Sequence, residues 1–262
     1  MLVVTAKATG NGQSTSILIL GDSTTANGIA VTKIHENFSG DGMAVTTLGT
    51  LGTAPNNHEG RSGWTFAQYF NTASGNAFYS PLTNTFDASY YFSSTGITKP
   101  DWFVINLGIN DIFNYTNDSD LEVAIANITA LCNSMIASVK SASPNSKIGV
   151  CLTIPPNHSQ DAFGKAYACN QTRDRYKRNN TMWVKRQIST YDGRESEGIY
   201  VIPIHTNLDT IYNMGLESLS VNARNTAMTY ESPIGNGGVH PVESGYWQIA
   251  DVYTAFLKGN VQ

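Results

Sequence analysis

Apolar residues along this chain alternate between short unbroken runs and longer stripes at helical spacing. Ile17-Leu18-Ile19-Leu20 is a continuous apolar run closed by Gly21, the pattern of a strand buried on both faces of a parallel sheet. Thr24 to Phe38 follows with mixed helical spacing through Ile29, Ile34 and Phe38, and Met43 to Leu48 reads as a second strand. Trp102 to Leu107 is a third strand, bounded by Pro100 and Gly108. From Asp120 to Val139 the stripe Leu121, Ile125, Ile128, Leu131, Met135, Val139 predicts an amphipathic helix, with Asp118, Ser119 or Asp120 as its cap. Lys147 to Ile154 reads as a fourth strand stopped by Pro155-Pro156, and Ala166 to Tyr191 as a polar helix. Tyr200 to Ile204 is then a fifth strand and Ser244 to Leu257 the closing helix.

Strands alternating with helices predict an α/β fold, a parallel five-stranded sheet covered on both faces, because right-handed crossovers place helices on each side. Ligands of such sheets bind outside the carboxyl ends of the strands, where Ser23 and Asn110 are both expected. The segments Gly49 to Lys99 and Thr206 to Gly238 show no clear period beyond a short helix near Trp64 to Phe70. Long irregular segments in compact domains tend to carry function, so these two are expected to wall the substrate cleft. Residues 1–16 read as a polar lead or linker before a single domain over 17–262, as if the chain were one part of a larger protein.

Composition narrows the partners. A chain of 262 residues can bury a sizeable core. With a net charge of -4 and only 16 Lys plus Arg it carries no basic stripe for a phosphate backbone, so nucleic acid is not an expected partner. Cys132, Cys151 and Cys169 have no Cys-x-x-Cys spacing, which argues against a disulfide framework or a zinc site. Cys132 and Cys151 lie in apolar runs and read as small core residues. The lead lacks the basic and apolar regions of a signal peptide, and no apolar run approaches the length of a membrane span. A surface rich in Asn, Thr, Ser, Gly and Tyr suits a secreted or virion protein that works on glycans.

Four distant segments suggest chemistry: Gly21-Asp22-Ser23, Glu59-Gly60-Arg61-Ser62, Gly108-Ile109-Asn110-Asp111 and Val239-His240-Pro241. Acyl transfer needs a nucleophile, a base and donors for the oxyanion, and the segments contain one of each. Singly each has an ordinary reading: Ser23 as a helix cap, Gly60 as a turn glycine, Asn110 as a strand-end cap, His240 as a surface histidine. The nucleophile elbow Gly-x-Ser-x-Gly does not fit, since Thr25 takes its last position.

Together the four blocks resemble the SGNH hydrolases, also called GDSL esterases, over Ile17 to Leu257. The resemblance implies a three-layer α/β/α, flavodoxin-like fold and ester hydrolysis with no metal or cofactor. It makes Ser23 the nucleophile, His240 the base, and the Ser23 and Gly60 N–H groups with the Asn110 side chain the oxyanion hole, Asp22 and Asp111 supporting them. The run His58-Glu59-Gly60-Arg61-Ser62-Gly63-Trp64-Thr65 is similar to a carbohydrate-esterase or phage-associated branch that includes polysaccharide deacetylases. It implies an acyl, above all acetyl, ester of a carbohydrate or another small ester as substrate. The implied setting is extracellular or virion-associated, in a larger multidomain or virion protein.

One position departs from the pattern: members place Asp three residues before the His, and here Gly237 stands there. Losing that acid costs about ten-thousandfold in rate when nothing replaces it. A main-chain carbonyl near Asn236 or Gly237 accepting from the ring, a carboxylate from Glu231 or Glu243, or a crippled site are the three accounts; the carbonyl is favoured because relatives act as dyads held by the main chain. A competing reading is a glycan-binding module on the same fold, with Trp64, Tyr69, Phe78, Tyr79, Tyr90 and Tyr91 stacking on sugars, although core packing is the expectation for most of these rings. A lipid or thioester hydrolase would want a longer apolar groove than this sequence shows.

Overall fold

The computed structural model describes residues 5–164, 171–233 and 237–260. In chain order its elements are β1 (Ser14–Gly21), α1 (Ser23–Ala26), α2 (Ile29–Gly40), β2 (Ala44–Leu48), β3 (Glu59–Gly60), α3 (Phe66–Tyr69), β4 (Tyr79–Ser80), β5 (Thr85–Phe86) and α4 (Ala88–Thr95). There follow β6 (Trp102–Asn106), α5 (Ile109–Ile112), α6 (Asp118–Ala142), β7 (Lys147–Cys151), α7 (Asp161–Gly164), α8 (Arg173–Tyr191), β8 (Ile199–Ile202), β9 (Leu216–Asn222), β10 (Asn225–Pro233) and α9 (Glu243–Gly259).

The sheet runs β2-β1-β6-β7-β8, all parallel, and β3 adds a sixth, two-residue strand beside the end of β1. Helices α2 and α9 pack together, and α6 packs against α4 and α8, which gives the α/β/α layering expected from the alternation of elements. The central strands are apolar because both faces are covered: Ile17 to Leu20 and Trp102 to Ile105 are 2% exposed or less.

Several boundaries moved for identifiable reasons. The first strand starts at Ser14, inside the expected lead, because Ser14 to Leu18 pair with β2. The helix expected over Thr24 to Phe38 is two helices, divided at Gly28, which has φ 72. Helix α6 is capped by Asn117, whose side chain accepts from the Asp120 N–H at 2.9 Å, rather than by Asp118, Ser119 or Asp120. Helix α8 begins at Arg173 behind the Thr172 cap. The expected start at Ala166 lies outside the described residues, as do Cys169 and Asn236.

By length and composition alone α6 would pass for a membrane span, contrary to the expectation that no run comes near one. Most of its large apolar residues, however, line one buried side, with Leu121, Cys132, Met135 and Val139 fully buried, while Glu122, Val123, Asn127 and Asn133 are exposed. The antiparallel hairpin β9–β10 was not foreseen. Strand β9 has no buried residue, so burial imprinted no alternation on its sequence for a period-two reading to find.

Candidate active site

Strand register assembles the site. Gly21, the last residue of β1, is paired with Gly60 of β3 on one side and Asn106 of β6 on the other. Ser23 therefore emerges between the loop that carries Gly60 and the short helix that carries Asn110. Glycine is required at position 60 by space: a Cβ there would lie 2.5 Å from the Ala26 N, against the backbone of the Ser23 turn.

The turn itself is tied down by hydrogen bonds. Asp22 caps α1, its Oδ1 accepting from the Thr24 N–H and hydroxyl at 2.9 and 2.8 Å. Asn106 donates to the hydroxyls of Thr24 and Thr25 at 3.1 Å each. The Ser23 N–H, at the first position of that turn, has no helical acceptor. Ser23 Oγ lies 2.8 Å from His240 Nε2, across 217 residues of sequence.

His240 sits in the loop ahead of α9, and the loop is held from both sides. Asn157, fully buried after β7, donates its backbone N–H to Gly238 O at 2.9 Å and its side-chain amide to Gly237 O at 3.3 Å. From the other side Val242 N donates to Asn213 O at 3.0 Å, and Pro241 bridges to Met214. Gly237 is buried, with its carbonyl engaged by Asn157. Glu231 is exposed on the hairpin, and Glu243 is exposed at the start of α9.

Asn110 donates one amide hydrogen to Trp64 O at 2.9 Å, leaving the second for another acceptor. The Gly60 N–H donates to His58 Nδ1 at 3.1 Å. Beneath this loop lies a buried network. Glu59 is bridged to Arg61 at 2.8 Å, and it accepts from the Tyr91 hydroxyl at 2.7 Å and the Thr50 N–H at 2.6 Å. The Tyr69 hydroxyl lies 2.8 Å from Gly21 O and 2.6 Å from Glu59 O and shares its one hydrogen between them, joining the end of β1 to β3.

Two carboxyl groups underlie the site in raised states. Burial pushes Asp22 up to about 6, with Oδ2 enclosed and unpartnered among the described residues. Burial also pushes Asp111 up to about 7, the nearby Asp22 adding to the effect, while its oxygens accept from the Phe66 N–H at 3.0 and 3.3 Å. Asp111 thus anchors the start of α3 beside Asn110.

Of the residues expected to meet, Ser23 and His240 do so directly, with Gly60 on β3 beside the end of β1 and Asn110 on α5 after β6. Asn106, Tyr69, Tyr91 and Asn157 were not read from the sequence as parts of this site. Their signal is tertiary, since each hydrogen-bonds to a segment remote from its own. Core packing, the expectation for most of the aromatics, holds for Tyr69, Phe78 and Tyr91, which are fully buried, Phe78 stacking on Tyr91 at 3.9 Å between centroids, whereas Trp64, Tyr79 and Tyr90 are half-buried. Among the described residues, no group of three or more His, Cys, Asp or Glu is placed to hold a metal ion.

A cleft of about 600 Å³ opens beside Gly60 and Ala26. Its walls come from the start of α2, the loop 51–58 and the first turns of α9. Polar groups such as Asn27, Thr53 and Asn56 alternate there with Leu51 and Trp247.

A family model described as GDSL-like lipase/acylhydrolase matches residues 17–252. Solved structures of similar fold include a family 3 carbohydrate esterase of Clostridium thermocellum, 16% identical with TM-score 0.50, covering 92% of this chain and 93% of that one. A family 3 carbohydrate esterase from Talaromyces cellulolyticus is 18% identical with TM-score 0.50, covering 95% of this chain and 100% of that one. The lipase/acylhydrolase from Enterococcus faecalis is 16% identical with TM-score 0.52, covering 95% and 97%. No curated protein matches the chain in sequence.

Proposed function

The chain belongs to the GDSL-like lipase/acylhydrolase family, and from that premise we propose that it is a serine esterase removing acyl groups, above all acetyl, from a carbohydrate. The observation that carries this reading is the 2.8 Å hydrogen bond between Ser23 Oγ and His240 Nε2. Ser23 Oγ attacks the ester carbonyl while His240 Nε2 takes its proton. The tetrahedral oxyanion rests on the Ser23 N–H and the second amide hydrogen of Asn110; the Gly60 N–H, expected as a third donor, is held by His58 Nδ1 at 3.1 Å, and Gly60 serves the hole by letting the backbone pass close to the Ser23 turn. Collapse expels the alcohol, which leaves with the proton from His240. Water, deprotonated by the same ring, then releases the carboxylic acid and restores Ser23.

His240 works here as half of a dyad, with the position of the usual acid taken by Gly237. Its loop is oriented by the main chain and by Asn157. Carbohydrate as the alcohol is supported by the polar cleft beside the Ser23 turn and by the two family 3 carbohydrate esterases among the structural relatives. The hydroxyl- and amide-rich composition supports work outside the cell or on a virion. The alternative of a glycan-binding module loses much of its support with Tyr69, Phe78 and Tyr91 buried.

Purified protein is expected to release acetate from p-nitrophenyl acetate and from glucose pentaacetate, and Ser23 to be labelled by a fluorophosphonate. Ser23→Ala lowers turnover at least about a thousandfold. Undiminished turnover in that variant, or an unlabelled Ser23 in a protein that still binds glycans, overturns the esterase reading.

A further inference from the structure

The wall of the cleft nearest Gly60 carries His58, which is 4% exposed. Its Nδ1 accepts the Gly60 N–H at 3.1 Å. A backbone amide only donates, so Nδ1 bears no proton and the neutral ring carries its proton on Nε2. Two cleft glycines flank that atom with no side chain of their own: a Cβ at Gly52 would lie 3.3 Å from Nε2, and one at Gly28 3.9 Å. Asn56, on the same wall, has a buried Oδ1 with no partner among the described residues. Trp247, 41% exposed, contributes an indole ring with Lys33 Nζ 4.9 Å from its centre.

We propose that His58 is a substrate-binding residue, donating its Nε2–H to an oxygen of the carbohydrate alcohol while its Nδ1 positions the Gly60 amide of the oxyanion loop. The inference rests on the esterase reading above and names the residue through which that site recognises a hydroxyl-rich leaving group. Burial holds the His58 ring below its usual pKa, the Glu59 carboxylate opposing and Arg61 reinforcing the shift. The charged groups elsewhere on the cleft are Lys33, Glu36 and Glu243. The ring is therefore neutral near pH 7, as the bond from Gly60 demands.

The test compares glucose pentaacetate with p-nitrophenyl acetate, which lacks a sugar. In His58→Asn the side-chain oxygen stays near the Nδ1 position but the amide stops short of Nε2. The ratio of kcat/KM for the pentaacetate to that for p-nitrophenyl acetate falls about tenfold, the worth of one hydrogen bond, through a higher KM for the sugar ester. His58→Gln, which reaches the Nε2 position with an amide N–H, recovers most of that ratio. As a measurement that leaves position 58 intact, adding glucose pentaacetate to Ser23→Ala protein shifts the His58 Nε2 resonance in nitrogen NMR. A wild-type ratio in His58→Asn or an unmoved Nε2 resonance overturns this inference alone, whereas a wild-type enzyme that cleaves p-nitrophenyl acetate but not the pentaacetate overturns it together with the choice of carbohydrate as the alcohol. A wild-type protein that neither hydrolyses p-nitrophenyl acetate nor takes the fluorophosphonate label overturns the esterase reading beneath it.

Discussion

Asp111 shows how a single carboxyl can brace a site and still cost stability. In the unfolded chain its pKa is near 3.8, whereas in the fold burial holds it at about 7. A raised carboxyl pKa means that the folded state binds the proton more tightly. Its stabilising effect is complete below the unfolded value and is lost as pH rises through about 7; Asp22, raised to about 6, adds the same trend slightly lower. Asp111→Asn keeps an oxygen for the Phe66 N–H and removes the titration. It is expected to leave urea stability at pH 4 unchanged and to raise it at pH 8 by about 2 kcal/mol, solvent screening the half-buried carboxyl. Parallel urea curves for variant and wild type across that range would refute the linkage. Asp111 was legible as a support from its motif; its protonation state follows from packing that no motif encodes.

Among the elements, helix α8, which carries a polar face inward, does the most positioning. Helix α8 buries Asn179, Asn180 and Gln187. Asn180 donates to Ile154 O at 3.0 Å and Gln187 to Cys151 O at 2.8 Å, satisfying carbonyls in the segment that leaves β7. Asn157 ends that segment and holds the His240 loop. Asn157→Ala removes the amide that donates to Gly237 O and the oxygen that accepts from the Ser159 N–H at 3.0 Å. Turnover of p-nitrophenyl acetate is expected to fall about tenfold with KM little changed, and Tm to drop by several degrees, in line with about 1–3 kcal/mol for unmade buried bonds. Wild-type kcat in a folded Asn157→Ala protein would show that the loop holds His240 without it. The apolar strands and α6 were legible from periodicity. The buried amides of α8 were not, because the stretch reads as uniformly polar and only its position against β7 turns those amides inward.

Across the whole molecule, the two ends of the chain close on each other. Lys258, near the end of α9 and 2% exposed, donates to Lys7 O and pairs with Asp41 at 2.6 Å each. Thr5 donates to Ala255 O at 2.6 Å. Residues read as a lead therefore pack onto the closing helix, beside the turn between α2 and β2. Asp41→Ala leaves a buried ammonium without its counter-charge and is expected to lower unfolding free energy by about 2 kcal/mol, less than for a fully buried pair because Asp41 reaches solvent. Trypsin cleavage after Lys7 should quicken in the same variant, and unchanged cleavage and stability would show the closure to be incidental.

Sequence by itself determined the elements whose burial leaves a periodic imprint, namely the unbroken apolar strands and the striped helices. It also determined which side chains were on offer as nucleophile, base and oxyanion donors, and in what order. Tertiary structure alone decided that Ser23 Oγ and His240 Nε2 lie 2.8 Å apart, that a two-residue strand sets Gly60 beside Gly21, and that the Gly60 N–H reaches the His58 ring. It also decided which of the six aromatics are buried, namely Tyr69, Phe78 and Tyr91. The physical reason is range. Periodicity records how a segment alternates between water and interior within a few residues, whereas the meeting of distant segments depends on strand register and on loops that close over hundreds of residues without leaving any local pattern.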